Sequence, residues 1–129
     1  MALERMNPSE LVPPSGPFVN AVRAGKLLFI SGQVAYGPDG EIVGVGDPEA
    51  QAVQVMENVG ANLRAAGASF ADVTKVTVFL TDMAYRAAVA GVRERYFAGA
   101  NPASTLVQVG ALVHPDLLLE IEAIAVLPD

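Results

Sequence analysis

Two carboxylates, Glu120 and Glu122, sit inside the apolar run LLLEIEAIAV (117–126). A carboxyl group lining a cleft can carry a proton or orient a water. The same groups can equally be solvated on the open face of a sheet, and pattern alone leaves both readings standing. Side chains alternate along a strand, so Leu119, Ile121, Ala123 and Ala125 point one way and Glu120, Glu122, Ile124 and Val126 the other. The first set is purely apolar and is expected to meet helices. The second is mixed and is expected to face water or another subunit.

Other residue types with chemical potential are few. His114 is the single histidine; it precedes Pro115 in a turn and is expected to face solvent. There is no cysteine, which removes disulfides, thiolate metal sites and a cysteine nucleophile. With one histidine as well, no metal site and no cofactor is expected. GPDGEIVGVGD (37–47) is rich in glycine, but no helix opens on a G-x-G-x-x-G pattern, and no G-x-S-x-G elbow occurs. The net charge is −6, with eight basic residues against fourteen acidic ones. Nucleic-acid binding rests on clustered Lys and Arg, and the densest cluster here, RERY (93–96), has a glutamate inside it, so no nucleic-acid partner is expected.

The elements that would position these residues follow from periodicity. Residues 1–16 are expected to form an irregular arm, with Pro8, Pro13 and Pro14 inside it and Pro17 just beyond. Strands are predicted over 18–23 and 26–36 with Gly25 at the turn between them, then a tight turn at 37–40 and a short strand EIV (41–43). A helix should start at Pro48, capped by Asp47, with Ala52, Met56, Val59, Leu63 and Ala66 on one stripe and Gly67 at its end. The β-branched run 73–81 predicts a buried strand. Asp82 should cap a second helix with Tyr85, Val89, Val92 and Tyr96 inward, and strands over 103–112 and 117–126 close the chain. This order predicts one α+β domain spanning residues 1–129, a six-stranded mixed sheet with two helices on one face. The hydrophobic fraction of 52% exceeds what a small domain can bury, so subunit contacts are expected. No apolar run reaches the roughly 18 residues of a membrane span, and the N-terminus lacks an apolar signal core. No membrane partner is expected, and the localisation is read as cytoplasmic.

LFISGQVAYGPDGEIV (28–43), VTKVTVFLTD (73–82) and NPASTLVQVGALVHPDLLLEIEAIAV (101–126), with GPFVNAV (16–22), resemble the Rid proteins, the reactive intermediate deaminases of RidA/YjgF-like type. The resemblance runs from about Gly16 to near the end of the chain. It implies a chorismate-mutase-like fold and a homotrimer with a barrel-like core, helices outside, and three clefts between subunits that take a small metabolite. It also implies hydrolysis of reactive enamines and imines to a carbonyl compound and ammonia, with Glu120 matching the cleft glutamate that orients water. Ser31, Gly32 and Leu106 match positions that line the cleft.

Three positions depart from the family pattern. Ser104 stands where the substrate-holding arginine of the P-A-R signature is expected. Phe18 replaces a frequent tyrosine, and Ala90 a frequent asparagine. Arginine pairs with a carboxylate through a planar fork, whereas serine offers one neutral hydrogen bond. Arg93, where a tyrosine is more usual, is either a surface helix arginine or a replacement cation. The expectation is therefore a small-ligand-binding trimer whose reaction class is imine or enamine hydrolysis. A non-catalytic regulatory trimer is the rival, and a ribonuclease or translation inhibitor is the reading least compatible with the acidic charge.

Overall fold

A computed structural model describes residues 2–129. Its elements are β1 (Leu3–Met6), β2 (Ala21–Ala24), β3 (Leu27–Gln33), α1 (Pro48–Ala65), β4 (Val73–Leu80), α2 (Arg86–Phe97), β5 (Ala103–Gln108) and β6 (Leu119–Val126). They form one six-stranded mixed sheet in the order β1-β2-β3-β6-β4-β5. All pairings are antiparallel except β4 with β5, which α2 connects as a crossover.

The strand count matches the expectation, but its membership differs. The arm is not wholly irregular: Leu3–Met6 pairs with β2 as an edge strand, because the prolines begin only at Pro8. EIV does not make a strand; glycines on either side limit it to one bridge, Tyr36 to Ile42. The strand predicted from Phe18 begins at Ala21, and the ones predicted over 26–36 and 103–112 stop at Gln33 and Gln108.

Helix α1 forms for the reasons its sequence supplies. Asp47 accepts from the Ala50 amide at 3.0 Å, and Pro48 occupies the first helical position. Gly67, at φ +75°, donates to Arg64 O, and Ala68 donates to Leu63 O, so two carbonyls of the last turn are satisfied in a Schellman arrangement. Asp82 does not cap α2 directly. It caps a single 3₁₀ turn, Met83–Tyr85, which runs on into α2.

Both helices lie over one face of the sheet. Ala52, Met56, Val59 and Leu63 pack onto Leu28, Ile30, Val76, Val78, Leu119, Ile121, Ala123 and Ala125 in a single core. The alternation read from β6 holds: its odd residues are buried, while Glu120 and Ile124 are half-buried and Glu122 and Val126 exposed. The other face is left open and is apolar in part, with Leu27, Phe29, Val107 and Val126 each 37–44% exposed.

Candidate functional site

The site is built around a fault in β3. Ile30 pairs with Ala123 and Gln33 with Ile121, so Ser31 and Gly32 together stand opposite the single residue Glu122. This extra residue makes a β-bulge, a device that bends a strand and re-aims its side chains. Glycine is required there by space rather than by backbone angle. A Cβ on Gly32 would lie 2.6 Å from Cδ and 2.9 Å from Cγ of Glu120. Glu120 occupies the volume that Gly32 leaves free.

Ser31 is partly committed to structure. Its amide donates to Asn20 O, and its hydroxyl donates to Val19 O at 2.7 Å, holding the segment that carries Phe18. The hydroxyl lone pairs remain able to accept. Gln33 donates to Asn20 Oδ1 and to Ser31 O, and the Asn20 amide donates to Asn7 Oδ1 at 2.9 Å. This chain of amides fixes the bulge from beneath and ties it to the arm. Asn58 on α1 donates to Val34 O and Tyr36 O at 3.0 and 2.9 Å, anchoring the exit of β3.

These elements enclose a cavity of about 690 Å³, lined by Phe18, Ser31, Gly32, Glu120, Asn58 and the arm residues Leu11–Ser15. Burial, then the neighbouring charge of Glu122, raises the Glu120 pKa above its ordinary value. Among the described residues nothing donates a hydrogen bond to Glu120. Its carboxyl is therefore free to serve a guest molecule, and it is shifted toward the range where it can both give and take a proton.

Not all of the sequence-identified residues meet there. Phe18, Ser31, Gly32 and Glu120 line the cavity; Ala90, Ser104 and Leu106 do not. Ser104 and Leu106 pair in register with Val76 and Val78, the helix-facing residues of β4, while Glu120 pairs with Phe79 on the opposite face. By strand geometry Glu120 and Ser104 are roughly 14 Å apart along the sheet, as well as on different sides of it. Ala90 lies half-buried on α2. Arg93, also on α2, donates from Nη2 to Ser104 Oγ at 2.8 Å.

His114 is half-buried rather than solvent-facing; its Nδ1 accepts from the Asp116 amide and closes the turn before β6. No group of three or more potential metal ligands occurs among the described residues. Gln51, which no motif singles out, is fully buried in α1. It donates to Gly44 O and Asp116 O and accepts from the Leu118 amide at 2.9 Å, clamping the entry to β6 two residues before Glu120. A polar residue flanking the apolar stripe of α1 was the only signal available for it.

With this geometry in view, comparison with known proteins is informative. The family model described as Endoribonuclease L-PSP matches residues 9–127. The chain belongs to the Rid family. Among its Rid relatives, a RutC family protein of Pyrococcus horikoshii is 49% identical over 113 residues, covering 87% of this chain and 88% of that one. The 3-aminoacrylate deaminase RutC of Acinetobacter baylyi is 38% identical over 125 residues, covering 97% and 98%. Of solved structures, E. coli TdcF with bound serine superposes with a TM-score of 0.90 at 37% identity, covering 97% of this chain and 99% of that one. The six-stranded α+β architecture is thus the Rid fold. No helix is long and apolar enough to cross a membrane among the described residues.

Proposed function

We propose that this chain is a hydrolytic deaminase of small enamines and imines, working as a homotrimer in clefts between subunits. The observation that carries this reading is Glu120, an undercommitted carboxyl with a raised pKa, seated against Gly32 in a cavity sized for a metabolite. A RutC relative named as a 3-aminoacrylate deaminase supports the reaction class, and a relative holding serine supports a small ligand.

The chemistry needs little machinery. An enamine takes a proton on carbon and loses one from nitrogen, becoming an imine. Water adds to the imine carbon as nitrogen is protonated, giving a carbinolamine. Nitrogen leaves as ammonia while the hydroxyl proton departs, and a carbonyl remains. Protonated Glu120 can donate toward nitrogen, and the resulting carboxylate can take the proton of the attacking water. Phe18 contributes an apolar wall that keeps the guest's neutral part out of bulk water.

The trimer is supported by surface that a monomer leaves uncovered. Leu27, Phe29, Val126 and Val107 are exposed on the open face, and β5 ends the sheet as an edge strand free of proline. A three-fold ring joins two different surfaces at each contact, so a cleft can combine the Glu120 cavity of one copy with the β5–α2 edge of the next. One chain cannot bring these regions onto one small molecule, because the sheet lies between them. A cytoplasmic setting fits this chemistry, since such intermediates arise in amino-acid metabolism.

A second reading, a non-catalytic ligand-binding trimer, is favoured by one observation, the absence of arginine at position 104. A ribonuclease role has less support, because the mixed face of β6 presents Glu120 and Glu122 beside a single lysine, Lys75. The deciding experiment generates an imine in place with a threonine dehydratase and follows its disappearance. Acceleration by the wild type and not by Glu120→Gln supports the deaminase. No acceleration at any protein concentration favours the binding trimer. Sedimentation at the monomer mass of 13.4 kDa would remove the intersubunit cleft altogether.

A further inference from the structure

The Arg93–Ser104 pair has no structural purpose that its contacts account for. Arg93 lies half-buried on α2, and its one hydrogen bond is the donation from Nη2 to the Ser104 hydroxyl. Among the described residues no carboxylate comes within 4.0 Å of its guanidinium, although the other α2 arginine with a nearby acid, Arg95, reaches Glu49 at 3.7 Å. The Arg93 Nε–H is fully buried and has no acceptor. Burial also lowers its pKa with no opposing charge to offset it, and an arginine stays charged even so. A half-buried cation with no counter-charge in its own chain is costly unless something anionic comes to its guanidinium.

From this arrangement we infer that Arg93 and Ser104 form an anion clamp, and that the guest of the cleft is a small carboxylate held by its carboxylate group on this pair. Arg93 presents a planar fork, which suits a carboxylate, and the Ser104 O–H stays free to donate while its oxygen accepts from Arg93. A phosphate would leave oxygens without donors on this pair, and the nearest strand cation, Lys75, lies on the open face, where it donates to Thr105. The positive charge that holds the substrate thus comes from helix α2 rather than from strand β5. Position 104 needs only a small side chain, because the longer one reaches it from the helix. The inference rests on the deaminase reading only for the identity of the reacting group, not for the anion site.

The test uses the whole protein and two probes of equal shape, 2-oxobutanoate and its neutral amide, with binding followed by calorimetry. The wild type should bind the carboxylate at least 10-fold more tightly than the amide. Arg93→Met should abolish that preference and weaken 2-oxobutanoate by about 10–100-fold, while leaving the amide within about 2-fold. Arg93→Lys should restore part of the preference, since it keeps the charge and loses the fork. Ser104→Ala should cost about 3-fold. Each variant is checked for wild-type sedimentation. Unchanged carboxylate affinity in Arg93→Met, or a wild type that does not distinguish the probes, overturns the clamp. The two readings separate cleanly. Arg93-dependent binding without imine turnover leaves the clamp standing and defeats the deaminase. Imine turnover that is indifferent to Arg93→Met does the reverse.

Discussion

Glu120 and Arg93 are both half-buried ionisable residues, yet the fold prepares them in opposite ways. Glu120 sits over a bulge that four other elements hold still: the Asn7–Asn20–Gln33 amides, the Ser31 hydroxyl, Asn58 on α1 and Gln51 at the entry to β6. Space for its carboxyl is reserved by Gly32. Arg93 has one hydrogen bond and a buried N–H with no acceptor. The first region is finished within one chain and suits proton transfer, which tolerates little displacement. The second has no counter-charge within its own chain, which suits recognition of an anion. The proposed sites of chemistry and of recognition thus lie on opposite faces of one sheet.

The contrast can be broken most severely at the prepared side. Glu120→Gln should reduce the rate of imine hydrolysis by about 10²–10⁴-fold with binding of 2-oxobutanoate within a few-fold, as removal of a general acid–base group predicts. Steady-state kinetics beside calorimetry separates the two effects; an equal loss in binding would make Glu120 part of recognition instead. Gly32→Ala is the subtler version. The new methyl displaces only a side chain, so melting should shift little, but the moved carboxyl should cost roughly 10²-fold in kcat. A normal rate in this variant would show that Glu120 acts from another position.

Gln51→Leu probes the support rather than the chemistry. It leaves the Leu118 amide and the Gly44 and Asp116 carbonyls without their partner, at a cost of about 3 kcal/mol, and should lower Tm by roughly 10 °C. Activity per folded molecule well below the melting range should fall less than in Gly32→Ala.

The smallest effect is electrostatic. The folded Glu120 pKa lies above the ordinary value of 4.5, so the folded state binds its proton more readily than the unfolded chain does. Its contribution to stability therefore declines as pH rises from 4.5 through the raised value, and the penalty is complete only above that value. Glu120→Gln should melt slightly higher than the wild type at pH 7, and this difference should disappear at pH 4. A difference that instead grew toward acid would mean that the carboxylate is stabilised in the fold.

Much of the scaffold was legible in the sequence because it rests on local rules. Asp47, Pro48 and Gly67 mark α1 by capping chemistry, and β6 declares its two faces by alternation. The misplaced pieces are those decided by distant partners. Leu3–Met6 is a strand because β2 lies beside it, and EIV is not one because only Tyr36 meets it. The site divides similarly. Glu120 could be singled out as a carboxyl among apolar residues, and Ser104 as a departure from a family pattern. The bulge at Ser31–Gly32, the reach of Arg93 to Ser104 and the Gln51 clamp depend on register and on side-chain paths between elements, which no periodicity encodes.

The central claim is that the Glu120 cavity of one copy and the Arg93–Ser104 edge of another act on one substrate molecule. Subunit complementation tests it most directly. Glu120→Gln and Arg93→Met chains, each impaired alone, are unfolded together in equal amounts, refolded, and assayed for kcat/KM on a carboxylate-bearing imine. If each site takes one half from each of two copies, about a quarter of the sites in the mixed trimers regain both intact residues, and activity should rise to about a quarter of the wild type. Activity no higher than the average of the two separate variants, in trimers shown to be mixed, would contradict a shared site and return both residues to a single chain.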